Sequence, residues 1–218
     1  MKFFIDTANL DQIREAQDLG ILDGVTTNPS LMAKEGIQGE QNILGHYVTI
    51  CNIVTGDVSA EVISTDFEGM IREGEKLAGL HPRIVVKVPV TREGIKAIRH
   101  FSGLNIRTNC TLIFSVGQAL LAAKAGATYV SPFIGRLDDI SVDGVGLVRQ
   151  IVEMYQYYQF DTQVIGASIR HSMHILQCAE AGADVVTCPL QSILGLLDHP
   201  LTTAGLQKFL SDYKKLNG

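Results

Sequence analysis

Eight short β-branched runs, each followed by an amphipathic stretch of helical length, predict an α/β chain closed into a (β/α)8 barrel with an extra C-terminal helix. Two further observations agree. A doubly wound open sheet is expected to carry a Gly-rich phosphate turn after its first strand, and no G-x-G-x-x-G occurs. No Gly/Ser linker or charge run divides the 218 residues, so 1–218 reads as one barrel domain, a length such barrels reach.

In chain order, strands are predicted at 2–6, 24–27, 58–63, 84–88, 106–111, 128–133, 163–168 and 184–188. The fourth, Ile84-Val85-Val86-Lys87-Val88, has the near-continuous apolar character of a parallel strand buried on both faces. Helices fill the intervals at 11–19, 40–54, 66–78, 92–102, 116–125, 144–158, 170–180 and 190–197. Gly126 and Gly182 each end a helical run just before a strand, as C-terminal capping glycines do. A last helix, 204–216, lies beyond the eighth unit.

Composition narrows the function classes. Hydrophobic residues make up 46% and charged residues 19%, with mean hydropathy +0.18. This suits a chain with much buried surface, subunit interfaces included. The net charge of -5, with no basic block, argues against nucleic acid but leaves room for a small anion held by local arginines. Cys51, Cys110, Cys178 and Cys188 form no C-x-x-C pair and read as buried free thiols of a reducing compartment. The apolar stretch at the N-terminus is too short for a signal peptide, and no run reaches the roughly 18 residues of a membrane span. A soluble, cytoplasmic protein is expected.

Lys87 is the residue that most constrains function. An amine buried in such a strand is costly unless it finds a partner or gives up its proton. A neutral lysine is a nucleophile, and its usual target is a carbonyl, giving a Schiff base. In a barrel the chemistry collects at the C-terminal ends of the strands. There the sequence places Asp6, Thr27 and Asn28, Glu61, Lys87, Asn109 and Thr111, Ser131 and Phe133, and Ser168, with Arg136 and Arg170 just beyond. Seven of eight strands thus deliver polar groups to one end of the ring. Asp6 and Glu61 are the carboxylates available for acid/base work, and Glu61 with Thr111 can hold a water that relays protons. Asn28 and Asn109 suit sugar hydroxyls. Arg136, Arg170 and Ser168 suit a phosphate.

Plainer roles exist for each. Asp6 and Glu61 can form structural ion pairs with Lys87. Asn28, before Pro29, can cap a helix, as can Asn109 and Thr111. Ser131 can merely fit beside Pro132. Arg136 and Arg170 can be solvated surface charges. His171 and His174, three apart on a helix, lack an obvious third ligand for a metal. Asp138, Asp139 and Asp143 read as loop and capping residues.

The stretches Phe4-Ile5-Asp6-Thr7-Ala8-Asn9, Gly24-Val25-Thr26-Thr27-Asn28-Pro29-Ser30, Val85-Val86-Lys87-Val88-Pro89, Asn109-Cys110-Thr111-Leu112-Ile113-Phe114-Ser115, Gly126 to Phe133 and Ala167-Ser168-Ile169-Arg170 together resemble the transaldolase family. Within it the chain looks like a member of the small single-domain subfamily, which also includes fructose-6-phosphate aldolase. The resemblance implies a (β/α)8 TIM barrel with Lys87 as Schiff-base lysine, Asp6 as acid/base, and Glu61 with Thr111 around a catalytic water. It implies substrate contacts from Asn28, Asn109 and Ser131 and a phosphate site of Arg136, Ser168 and Arg170, with no cofactor and no metal. The implied reaction moves a dihydroxyacetone unit between sugar phosphates, from sedoheptulose 7-phosphate or fructose 6-phosphate to glyceraldehyde 3-phosphate or erythrose 4-phosphate. Small members assemble as five-membered rings paired into decamers, and the helix at 204–216 can reach a neighbour. Aldolase-type members carry Gln at the position of Glu61 and Tyr at that of Phe133, so both residues here match the transaldolase side. The alternatives are an aldolase that releases free dihydroxyacetone, and a non-catalytic sugar-phosphate-binding barrel, which would have no need of Lys87.

Overall fold

The computed structural model describes residues 1–217. Its strands are β1 (Lys2–Asp6), β2 (Gly24–Thr26), β3 (Asp57–Glu61), β4 (Ile84–Pro89), β5 (Thr108–Ile113), β6 (Tyr129–Pro132), β7 (Gln163–Gly166) and β8 (Val185–Cys188). All pair in parallel, in chain order, and β1 closes on β8. The helices outside are α1 (Leu10–Asp18), α2 (Pro29–Lys34), α3 (Glu40–Ile53), α4 (Phe67–Ala78), α5 (Arg92–Gly103), α6 (Val116–Ala125), α7 (Ile134–Asp138), α8 (Gly144–Tyr158), α9 (Ser172–Glu180), α10 (Leu190–Leu194) and α11 (Pro200–Asn217).

Helix starts follow local chemistry. Asn9, Asn28, Asp66, Thr91, Ser115 and Asp143 each sit at an N-cap and accept from amides of the first turn. Gly126 closes α6 in the left-handed region, and Gly182 follows α9 with φ +81°. The C-terminal helix starts earlier than the sequence pattern implied, at Pro200, whose fixed φ suits a first helical position. Leu201, Leu206, Phe209, Leu210 and Leu216 on it are exposed. Among the described residues no helix is long and apolar enough to cross a membrane.

The two-residue period of a strand divides each side-chain set between barrel interior and helix layer. On β4, Ile84, Val86 and Val88 join the core under the helices, while Val85 faces the barrel axis. Lys87, two residues above Val85, points the same way. The interior therefore has a floor and an upper layer. Phe4, Val85, Tyr129, Ile165 and Val185 pack into the floor, with the Phe4 and Tyr129 rings edge to face at 6.1 Å. Two positions further along their strands stand Asp6, Lys87, Ser131, Ala167 and Thr187. The Tyr129 hydroxyl donates to Asp57 at 2.9 Å, and Arg107 grips the same carboxylate at 2.6 and 2.7 Å, which locks the underside. β5 runs two residues beyond its expected end because a bulge between Cys110 and Ile113, with Leu112 at φ +61°, carries the ladder past Thr111.

Gly24 makes the floor possible. A Cβ there would lie 2.6 Å from Phe4 Cε1 and 2.7 Å from the Asp57 carbonyl oxygen. Neither atom belongs to a flexible chain end. Gly24→Ala is expected to destabilise the barrel by about 2–3 kcal/mol through overpacking, read as a lowered urea midpoint. An unchanged midpoint would show that the Phe4 ring has room to move.

Candidate active site

Asp6, Thr26, Asn28, Lys87, Ser131, Phe133, Arg136, Ala167, Ser168, Arg170 and Thr187 line one cavity of about 190 Å³ at the C-terminal end of the barrel. Its centre is Lys87, only 5% exposed. The Lys87 amine donates to the Thr27 carbonyl at 3.0 Å and lies 3.1 Å from Glu61 Oε2. Glu61 is its register partner on β3, and Asn109 its partner on β5. The ion pair foreseen as the plainer reading of Glu61 is thus present. It leaves the amine beside a base.

Asp6 ends β1, three strands round the barrel from Lys87. Thr26, its register partner on β2, donates to Asp6 Oδ1 at 2.7 Å. Burial pushes the Asp6 carboxyl above its ordinary value, while the charge of Lys87 and the Thr26 hydrogen bond pull it back. A carboxyl raised in this way is a stronger base than an exposed one, which suits it to take up a proton.

Asn28 is held in place by the local sequence. Pro29 disfavours the helical region for the residue before it, and Asn28 takes φ −157°, ψ 168°. Its Oδ1 then accepts from the Leu31 amide at 3.0 Å, so the residue caps α2 and still faces the cavity. Asn109 and Thr111 cap no helix. Both are buried on β5, and neither lines the cavity. Asn109 joins a chain in which Ser131 Oγ donates to its Oδ1 at 2.8 Å and its Nδ2 donates to Ser59 Oγ at 3.1 Å. The buried Thr111 hydroxyl finds no protein partner.

The arginines converge through α7, a helix that sequence periodicity did not reveal. Arg136 lies on it, 5.6 Å above the Phe133 ring, and Phe133 packs edge to face on Phe114 at 5.7 Å. The loop after β7 is clamped to the start of α7: the Ile134 amide donates to the Ala167 carbonyl at 2.9 Å and that of Gly135 to Ser168 at 3.0 Å. Ser168 takes φ +57° in this loop. A Cβ on Gly135 would lie 2.3 Å from the Ser168 oxygen and 2.6 Å from Arg170 Nε, so only glycine lets the Arg170 chain cross there. Arg170 pairs with Asp139 at 2.7 Å, both side chains exposed.

His174 and His171 serve this loop. Their rings lie 3.8 Å apart, and His174 is buried. The Arg170 amide donates to His174 Nδ1 at 3.3 Å, so that nitrogen carries no hydrogen; Nε2 sits 2.9 Å from Asp138 Oδ2 and donates to it. This bonding needs the neutral ring. Burial first, then His171, lowers the His174 pKa below 6.5, and this outweighs the opposing pull of Asp138.

Sequence reasoning missed Thr26, Ala167 and Thr187 as cavity residues. The only signal for Thr187 was its place two residues above Val185, late in β8.

At one end of this (β/α)8 barrel a buried lysine paired with Glu61, the Asp6 carboxyl and two arginines thus stand above an apolar floor, the layout of a barrel with a polar site at its mouth. A model of the Transaldolase/Fructose-6-phosphate aldolase family matches residues 3–218, and the chain belongs to that family. A probable transaldolase of Bacteroides fragilis is 75% identical over 217 residues, covering 100% of both chains. One of Phocaeicola vulgatus is 74% identical over 218 residues with the same coverage. One of Porphyromonas gingivalis is 71% identical over 217 residues, covering 100% of this chain and 99% of its own. A solved structure of thiamine phosphate pyrophosphorylase from Pyrococcus furiosus superposes with a TM-score of 0.61 at 16% identity over 85% of this chain and 84% of its own, a likeness of fold alone.

Because folding holds His174 neutral, its contribution to stability is full above about pH 6.5 and is lost as the pH falls below that value, where the unfolded chain takes up a proton that the folded chain resists. Urea midpoints at pH 7.5, 6 and 5 should fall more steeply for the wild type than for His174→Gln. Parallel slopes would mean that another group takes up the proton.

Proposed function

We propose that the protein is a transaldolase that moves a dihydroxyacetone unit from fructose 6-phosphate or sedoheptulose 7-phosphate to erythrose 4-phosphate or glyceraldehyde 3-phosphate, through a Schiff base on Lys87. The observation that carries this reading is Lys87 itself, buried at the mouth of the barrel between Glu61 and the Thr27 carbonyl. A buried ion pair adds little to stability, so its place at the mouth of the barrel favours a chemical role. The family and the names of the relatives support the same class.

In this scheme Glu61 takes a proton from the Lys87 ammonium, and the freed amine attacks the ketose carbonyl. A water held by Glu61 and the otherwise unpartnered Thr111 hydroxyl carries protons as the carbinolamine loses hydroxide and becomes the iminium. Asp6 accepts the proton of the C4 hydroxyl as the C3–C4 bond breaks. An aldose phosphate leaves, and the three-carbon enamine stays on Lys87. The acceptor aldehyde then enters, and the steps run in reverse. Asn28 and Ser131 meet sugar hydroxyls, and Asn109 holds Ser131 in place. Arg136, Ser168 and Arg170 hold the phosphate, which takes Arg170 over from Asp139; an exposed ion pair of that kind gives up its partner at little cost. The scheme uses no cofactor and no metal. We place the reaction in the non-oxidative pentose phosphate pathway of the cytoplasm. The exposed leucines and Phe209 of α11 suit contact with a neighbouring copy, in keeping with a homo-oligomer of paired five-membered rings.

Borohydride reduction in the presence of fructose 6-phosphate should label the peptide that contains Lys87, and Lys87→Met should abolish both labelling and transfer while leaving a folded barrel. Label at a different lysine, or more than a trace of turnover in Lys87→Met, would rule out this mechanism.

Phe133 decides between transfer and release. A hydroxyl at this ring, beside the enamine, would orient water and promote protonation of the nucleophilic carbon. Phe133→Tyr should therefore release more free dihydroxyacetone from fructose 6-phosphate without an acceptor, and transfer less efficiently to erythrose 4-phosphate. If the wild type already releases dihydroxyacetone as fast as it transfers it, the chain is an aldolase.

A further inference from the structure

Every strand but β8 supplies a side chain, or the loop after it, to the proposed reaction. We propose that Thr187 of β8 is a positioning residue for Asp6, acting through Thr26 to aim and hold the carboxylate as a base. This rests on the transaldolase reading above.

The hydrogen count fixes the direction of the contact. Thr26 Oγ1 donates its single hydrogen to Asp6 Oδ1 at 2.7 Å. It also lies 2.6 Å from Thr187 Oγ1. With the Thr26 hydrogen committed to Asp6, Thr187 must be the donor in that contact. The chain runs Thr187 to Thr26 to Asp6. A hydroxyl that accepts while it donates is polarised and becomes the stronger donor, and the effect is largest where water is excluded. Thr26 and Thr187 are both buried.

The sheet builds this chain. β1 lies between β2 and β8. Thr26 is the register partner of Asp6, and Thr187 that of Phe4, the floor residue directly below. All three polar side chains reach the same cavity, and β-branched threonines hold few rotamers at χ1. Carboxylate and donors are thus aligned before substrate arrives.

The charges around Asp6 give the chain its purpose. Burial favours the neutral acid, while Lys87 on β4 favours the carboxylate. Lys87 is itself shared with Glu61 of β3, so its charge is not reserved for Asp6. Arg136 and Arg170 line the same cavity but serve the phosphate end. Cys188, beside Thr187, is a thiol pushed up to about 12 by burial and stays neutral at working pH. The threonine pair is therefore the polar contact dedicated to Asp6.

Thr187→Val keeps the shape and removes the donor. The test is the pH profile of fructose 6-phosphate to erythrose 4-phosphate transfer for wild type, Thr187→Val and Thr187→Ser, with borohydride labelling at Lys87 checked on a separate sample of each. In Thr187→Val the acid limb of kcat should move up by about 0.5–1 pH unit, with KM for fructose 6-phosphate within about twofold of wild type. Thr187→Ser should restore the wild-type limb. A wild-type limb in Thr187→Val, a loss of kcat equal at every pH, or no rescue by serine overturns the inference while the Lys87 label stands. A wild type that takes no label at Lys87 overturns the Schiff-base reading, and this one with it.

Discussion

Two opposite charges sit 3.1 Å apart at the top of the barrel, with side chains 6% and 15% exposed. Removing Lys87 and Glu61 from water costs several kcal/mol per ion, on the order of what their attraction returns, so a pair of this kind adds little to stability on its own. It persists because the surrounding backbone is already fixed. The Thr27 carbonyl accepts from Lys87, and the strand pairing sets Glu61 directly across from it. The fold supports the pair, not the reverse. The same dryness that makes the pair costly strengthens each electrostatic contact between this amine and what binds beside it.

Alternation along the strands organises everything near that pair. Side chains at one level fill the barrel with rings and branched aliphatics, and those two residues higher, Ala167 excepted, carry oxygen or nitrogen. The polar layer is satisfied within itself at several points. Ser131, Asn109 and Ser59 form one buried chain, and Asp6, Thr26 and Thr187 another. Such chains restrict rotamers, and restriction before binding is what positions reacting groups. The loop after β7 obeys the same logic at the rim, where the bare backbone of Gly135 and a neutral His174 keep Ser168 and Arg170 near Arg136.

Strand order and the buried lysine were legible because they break or keep a pattern. Eight apolar runs at regular spacing have few solutions, and a charge inside one is an anomaly that invites explanation. The end at which the polar groups gather followed from alternation. Short elements left no such trace. α2 has six residues and α7 five, less than two turns each, so no period could announce them. Thr187 was hidden because threonine is an ordinary strand former, and nothing in Val185-Val186-Thr187-Cys188 separates a positioning hydroxyl from a packed one. Asn109 was visible as a polar residue in a strand, but its partners Ser59 and Ser131 come from strands far away in sequence. The capping role of Asn28 could be read directly from Pro29.

The four cysteines share one property that reaches beyond folding. All are buried and free, and burial pushes the Cys51 thiol up to about 11 and those of Cys110, Cys178 and Cys188 up to about 12. Thiolate is the form that alkylating reagents and oxidants attack, so the native chain presents almost no reactive sulfur. A single cysteine introduced on the surface, for instance at the exposed Glu15 of α1, would therefore take a maleimide dye alone. The natural thiols need not be removed first, and the chain accepts a site-specific optical probe as it stands.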